Sequence, residues 1–329
     1  MHSNSSLETF RRCATEYFFR YILLRKGRGK AAALRFGSLF HLALNAWWRC
    51  NGDAFARLDA AFDAINAAAF ADEFDEFDLV KARCLIAGYT ARWGAEEYES
   101  IGVELEFRLP IDDPEARESE IDPCDLGGSI DVVARHRRER VRNVEHKTTS
   151  SDISIGSNYW RHVVALDPQV STYMNAARAL GFDPVDTLYD VIRKPSILPL
   201  LATPEESKKY TKPTKSDPTP RLYANQREHD ETPEEYGERL TEDIAKNPSR
   251  YFARMPIVRL PEDDAAHARD VVGTVRLIQF AKREDVYPRS PGACERYGRL
   301  CEYHDVCSGI TTIDDDSRFE TNERKDIAP

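Results

Sequence analysis

The chain has 329 residues, 41% hydrophobic and 31% charged, with a formal net charge of -10. That length can bury a substantial core, and the net acidity excludes a protein that coats nucleic acid indiscriminately, so any nucleic-acid contact has to use a local basic face. The N-terminus carries no charged-then-apolar leader and no apolar run reaches about 18 residues, so the expectation is a soluble cytoplasmic protein with no membrane contact. In that compartment seven cysteines point to metal or cluster ligation before disulfides.

Ser5 and Glu8 have the spacing of a capping box, which predicts a helix running from Ser5 through Phe10, Cys13, Tyr17, Phe18 and Tyr21. Cys13 falls on or beside its apolar face. Basic residues crowd the same quarter of the chain, among them Arg20, Arg25, Lys26, Arg28, Lys30 and Arg35. The loop Gly27-Arg28-Gly29-Lys30 is not a phosphate loop, because its first glycine is missing and Ala31 stands where a metal-binding hydroxyl belongs. A second helix opens near Gly37 and carries His41, Leu44, Trp47 and Trp48; in isolation His41 reads as a hydrogen-bonded core histidine. Two Ala-rich helices, at 53–70 and 74–98, read as scaffold.

From Gly102 the pattern turns to alternation, with Val103, Leu105 and Phe107 marking a first strand. Two more follow, 127–133 and 141–148, joined by a basic turn from Arg135 to Arg140. Alternation puts Glu145 and Lys147 on one side, and His146 can offer that side only its backbone carbonyl. If the strands pair, Asp131 joins them. Two carboxylates and an ammonium on one spot are costly to leave unfilled and favourable around a hard divalent cation, the equipment of a metal-dependent phosphodiester hydrolase. Glu-x-Lys alone proves little, since it recurs at Glu206 and Glu323 and reads equally well as a surface ion pair.

A helix starting near Asp167-Pro168 puts Gln169 and Tyr173 on one face, by themselves a half-exposed polar pair. A strand at 188–192 completes an α/β order. Residues 196–230 form a basic segment with Lys208, Lys209, Lys212 and Lys215, expected to be a flexible loop. A helix from Thr232, a strand at 254–260 and a helix at 263–282 close the regular part. Cys294, Cys301 and Cys307 fall within 14 residues and need a fourth ligand. Cys13 is the choice, and zinc completed by Cys13 or His304 is the competing chemistry. Cys50, Cys84 and Cys124 read as buried small hydrophobes, and the acidic tail beyond Ile310 as frayed.

Taken together these features resemble the PD-(D/E)XK nuclease superfamily, in its RecB-like branch with the iron-sulfur exonucleases of CRISPR systems, AddB-type nuclease domains and phage-encoded relatives. The resemblance is carried, in order along most of the chain, by Cys13, Gly37-x-x-x-His41, Asp131, Glu145-x-Lys147, Gln169-x-x-x-Tyr173 and the C-terminal cysteine trio. It replaces the bland readings of His41, Gln169 and Tyr173. It implies an α/β fold with a restriction-endonuclease-like core, a mixed sheet flanked by helices, with an N-terminal helical part and a C-terminal Fe-S-bound segment. The implied divisions are a helical region (1–100), a nuclease core (101–195), the basic loop (196–230), a helix, strand and cysteine segment (231–310) and the tail (311–329).

The resemblance also implies Mg2+ or Mn2+ held by His41, Asp131, Glu145 and the backbone carbonyl of His146. Asp131, Glu145 and Lys147 are then the catalytic residues, with Lys147 positioning or activating the attacking water. Gln169 and Tyr173 contact DNA or order the active-site face, while Arg20 and Lys30 lie in the basic stretch that tracks the backbone. Cys13, Cys294, Cys301 and Cys307 hold a 4Fe-4S cluster. Two departures stand out: Ala14 replaces the proline that commonly follows the first cysteine, and the Cys294–Cys301 gap exceeds that of the CRISPR-associated members. The implied function is an exonuclease for single-stranded DNA or DNA ends, in recombination, repair, phage DNA processing or CRISPR spacer acquisition. Tyr159 and Trp160 are candidates for base stacking. No helicase motor is encoded, so a helicase, recombinase or CRISPR integrase is the expected partner. The alternatives are a cluster-bearing DNA-end-binding subunit and a zinc-stapled interaction protein.

Overall fold

The computed structural model describes residues 1–29, 32–71, 74–112, 121–136, 140–212, 219–296 and 298–322. Helix α1 (Asn4–Arg12) starts earlier than Ser5 and Glu8 suggest, because Ser3 is the cap and the Ser6 hydroxyl, not Glu8, closes the box. The expected single helix also breaks: Cys13 is extended, with φ -157° and ψ 112°, before α2 (Ala14–Tyr17) and a π-helical turn at Phe18–Ile22 resume the coil. A short strand, β1 (Arg25–Gly27), follows.

Helices α3 (Ala32–Arg49), α4 (Ala54–Ala71) and α5 (Glu76–Trp93) cover one face of the sheet. Their buried side chains, among them Phe40, Trp47, Trp48, Leu85 and Tyr89, pack against Val132, Val144, Leu188 and Ile192 in the largest core. The sheet runs β2 (Tyr98–Pro110), β3 (Asp125–His136), β4 (Arg140–Thr149), β5 (Pro184–Arg193) and β6 (Phe252–Ile257) in spatial order. All neighbours are antiparallel except β4 and β5, which are parallel and so need a crossover rather than a tight turn.

That crossover contains α6 (Asn158–Leu166) and α7 (Pro168–Ala179). Helix α6 lies between the expected strand at 141–148 and the expected helix near Asp167, where the sequence pattern named no element; it is pinned by a tertiary contact, the buried Trp160 indole donating to the Ile153 carbonyl at 2.7 Å. Helix α7 covers the other face, where Tyr173, Ala176 and Ala177 meet Phe107, Ile130 and Val133. After an irregular stretch come α8 (Pro233–Lys246), α9 (Pro248–Tyr251) and α10 (Pro261–Glu284). Lys30, Lys215, the turn residues 137–139 and the tail residues 323–329 lie outside the described residues.

The C-terminal segment forms a small hairpin, β7 (Glu295–Arg296) and β8 (Arg299–Leu300), then α11 (His304–Cys307) and β9 (Phe319–Thr321). Strand β9 pairs with β1, Tyr303 stacks on Phe319, and the Tyr303 hydroxyl donates to the Arg25 carbonyl at 2.7 Å. The acidic segment therefore does not fray at Ile310; its polar sequence hides a strand whose partner lies at the other end of the chain. Cys50, Cys84 and Cys124 are half-buried rather than buried. Among the described residues no helix is long and apolar enough to cross a membrane.

Candidate active site

The β3–β4 pairing runs from His136–Arg140 to Val132–Val144. One step further, Asp131 and Glu145 face each other where the strands part. The Asp131 carboxylate there accepts the His146 backbone N–H at 2.9 Å, a bond the ladder would otherwise have supplied. Alternation places Lys147 beside Glu145, and the Lys147 ammonium donates to both Glu145 Oε1 and Gln169 Oε1. Gln169 arrives from the first turn of α7, which Asp167 caps by accepting the Gln169 N–H at 2.8 Å. One turn on, the Tyr173 hydroxyl accepts from Gln169 Nε2 at 3.1 Å. Asp131, Glu145, Lys147, Gln169 and Tyr173 are thus brought into one chain of contacts.

The electrostatics of that chain are unbalanced. Burial and then the neighbouring Asp131 push the Glu145 carboxyl well above the usual carboxylate range, with Lys147 opposing them. Asp131 is raised as well, chiefly by burial and against the His146 N–H. Burial works to lower the Lys147 value, but Glu145 and Asp167 outweigh it and raise it, so Lys147 stays an ammonium, a donor rather than a base. Glu145 Oε2 is buried without a hydrogen-bond partner. A lone carboxylate oxygen in that condition is a cost the fold carries.

His41 comes from α3. A Cβ on Gly37 would lie 3.2 Å from Thr148 Oγ1, so the glycine lets this helix close on β4 one turn before His41. The imidazole packs edge-on to the His146 ring, centroids 6.3 Å apart. Burial first, then His146 and Lys147, draw its pKa down to about 3, which leaves it a neutral nitrogen donor. Its neighbours are thus His146, Lys147 and Lys194 rather than the carboxylates. Among the described residues no group of three or more His, Cys, Asp and Glu side chains stands ready to hold a metal ion. The fit rests instead on donor chemistry: an orphaned Glu145 oxygen, a second carboxylate across from it and a neutral imidazole suit a hard divalent cation.

A model of the PD-(D/E)XK nuclease superfamily matches residues 2–308. The chain belongs to that superfamily. No curated protein matches it. A solved structure described as "Crystal structure of SSO0001" is similar at 12% identity, covering 64% of this chain and 74% of that one, with a TM-score of 0.22. A likeness that weak carries no argument. The five-stranded mixed sheet with helices on both faces is consistent with the PD-(D/E)XK core.

The superfamily match runs past all four expected cluster ligands, and Cys13, Cys294, Cys301 and Cys307 line one cavity of about 260 Å³. The extended break at Cys13 puts that residue there, and the Cys301 N–H bonds the Cys294 carbonyl at 2.7 Å to bend the other segment around it. Burial pushes the Cys301 thiol up to about 11, and Cys307 rises too, by burial and then the nearby Cys13. Cysteine is the ligand type of soft metals and iron-sulfur groups, and His304 lines the same cavity, but among the described residues these side chains too are not gathered into a ready metal-binding group. Arg20, expected on DNA, is an ion-pair partner of Glu302 in this PD-(D/E)XK protein, though it also lines a groove with Tyr17, Tyr21 and Lys26.

Sequence reasoning missed three residues near the motif. Asp167 is both the cap of α7 and the acceptor of the Tyr189 hydroxyl, and Tyr189 sits beside Glu145 in the parallel register. The Asp-Pro helix start was a visible signal for Asp167; nothing local pointed to Tyr189. Glu104 is the third, hidden because its left-handed backbone within β2 has no local sequence signal.

Proposed function

We propose that this protein is a metal-dependent deoxyribonuclease of the RecB-like branch, an exonuclease that degrades single-stranded DNA or DNA ends. The observation that carries the reading is the buried, unpartnered Glu145 oxygen beside Asp131, with Lys147 held as an ammonium next to it. Asp131, Glu145, His41 and the His146 carbonyl would hold Mg2+ or Mn2+, the ions typical of the superfamily. Such an ion supplies Lewis acidity toward the phosphoryl oxygen and lowers the pKa of a bound water. Lys147, bonded to Gln169, which in turn bonds Tyr173, would donate to the attacking water and the phosphate. Because Lys147 is charged, its part is orientation and charge stabilisation rather than proton abstraction.

Cys13, Cys294, Cys301 and Cys307 would hold a 4Fe-4S cluster that ties the two chain ends together, with zinc as the alternative occupant. The β1–β9 pairing beside that cavity supports a stapling role. Unwinding of duplex substrate would come from a helicase, recombinase or CRISPR integrase partner.

The test is degradation of end-labelled single- and double-stranded DNA by protein purified without oxygen, with Mg2+, Mn2+ or EDTA. Loss of label with either ion and none with EDTA is expected, and the label position gives the end attacked. Visible sulfur-to-iron absorbance, lost in Cys294→Ser, is expected of the same preparation; a colourless protein containing zinc would replace the cluster. No cleavage by the loaded protein on any substrate would leave an end-binding subunit in place of an enzyme.

A further inference from the structure

The lysine of the motif sits in a closed loop of contacts that reaches beyond the motif itself. An ammonium has three N–H groups. Two are committed here, one to Glu145 Oε1 and one to Gln169 Oε1. The Lys147 nitrogen also lies over the Tyr189 ring, 5.9 Å from its centroid, at the outer reach of a cation–π contact. Tyr189 stands next to Glu145 in the parallel β4–β5 register and is buried in the core, so its ring is a fixed surface. Its hydroxyl donates to Asp167 Oδ2. Asp167 Oδ1 in turn accepts the Gln169 N–H at 2.8 Å, and the Gln169 side chain returns the path to Lys147.

Each piece has a smaller explanation on its own. A helix cap needs one side-chain oxygen, and a buried tyrosine hydroxyl needs one partner. Here a single carboxylate meets both needs, with one oxygen on the helix and the other on the strand. The Asp167 backbone carbonyl also accepts from Arg259 at 3.1 Å, which holds the cap from a third side. The start of α7 is therefore tied to β5 at the level of Glu145, and that tie sets where Gln169 meets Lys147. A lysine stem is long and flexible, so an ammonium with one acceptor fewer would spread over several rotamers. Against the effect of burial, Asp167 also acts next after Glu145 in keeping Lys147 an ammonium.

We propose that Asp167 and Tyr189 are positioning residues for the cleavage step: together they latch the start of α7 onto β5 and hold the Lys147 ammonium with its third N–H left for the DNA phosphate. This rests on the nuclease reading above, and it assigns neither residue a contact with DNA or metal.

The experiment is a double-variant cycle on single-turnover cleavage at saturating DNA, with DNA affinity read by fluorescence anisotropy in EDTA and stability by urea unfolding. Tyr189→Phe keeps the ring beside Lys147 and removes the hydroxyl; it should lower the rate about fivefold at unchanged DNA affinity. Asp167→Asn keeps a helix cap but turns an amide toward Tyr189; it should lose a similar factor, and it serves if Tyr189→Phe does not fold. In a Lys147→Ala background either change should cost no further rate, because the latch has nothing left to hold. A merely structural role would give equal losses in both backgrounds, and that result would overturn the proposal. Full activity in both variants, or a loss confined to DNA affinity, would overturn it as well while leaving the nuclease reading intact. A wild-type chain that cleaves no DNA would remove both.

Discussion

Strand β4 carries buried charge on both faces, and the two clusters are resolved in opposite ways. Behind the strand the His146 ring meets Asp190 at 3.1 Å, and Asp190 also accepts from the Tyr89 hydroxyl at 2.6 Å. Arg254 lies 3.1 Å from the other Asp190 oxygen, donates to Tyr89 at 2.6 Å and pairs with Glu96. Burial alone would raise the Asp190 carboxyl, but Arg254 and then His146 hold it well below the usual range. In front, an equally buried Glu145 is pushed the other way, because its nearest anion is Asp131 and one ammonium is shared between them. The medium is the same, and the count of opposite charge decides the sign. A cluster whose charges are matched holds the sheet together; one left unmatched is ready for a ligand.

That contrast can be broken most severely from behind. Asp190→Ala leaves the buried Arg254 with only the more exposed Glu96 as its anion and should cost about 3–5 kcal/mol in urea unfolding, with cleavage lost only as far as the fold is lost. A variant as stable as wild type would show that the rear network does not carry the sheet. In front, Lys147→Ala should lower single-turnover cleavage by about 100- to 1,000-fold, the scale of removing one donor aimed at developing charge.

The two faces should also titrate with opposite sign when metal is chelated. Folded Glu145 keeps its proton above the ordinary 4.5, up to about 8, over a range where the unfolded chain has lost it. Stability should therefore fall as pH rises through that window, and Glu145→Gln should flatten the slope. Asp190 has a depressed value, so its contribution is present above its ordinary 3.8 and is lost as pH falls below it. Chemical denaturation across pH in EDTA reads both limbs; a rising limb between pH 5 and 8 that Glu145→Gln leaves unchanged would contradict the first. The smallest effect belongs to Tyr173→Phe, which deletes the acceptor of one Gln169 hydrogen bond at the edge of the front cluster. About 1 kcal/mol, a several-fold drop in rate with little change in unfolding midpoint, is expected from paired kinetic and melting assays.

The front of this arrangement was legible in the sequence and the rear was not. Strand alternation alone puts Glu145 with Lys147, and helical spacing puts Gln169 with Tyr173, because both periods act over a few residues. Asp190 sits in what reads as an ordinary apolar strand, and its meaning depends on Arg254 from a strand that follows two helices. Glu104 is hidden for a different reason: alternation assigns it a face, but its backbone takes a positive φ and Asn45 and Ser129 hold its carboxylate. Likewise β9 forms only because β1 waits at the other chain end, and Cys13 reaches its cavity only because the first helix breaks there. The starts of α4, α5, α7, α8 and α10 were readable to within a few residues, while α6, the break at Cys13 and partners distant in sequence were not.

The most direct measurement is single-turnover cleavage of end-labelled DNA by Lys147→Ala, read beside its urea unfolding midpoint. Cleavage lost at a midpoint equal to or above that of wild type is the predicted result, since Lys147 serves a site the fold does not depend on. Undiminished cleavage, or a midpoint that collapses together with the activity, would contradict the account.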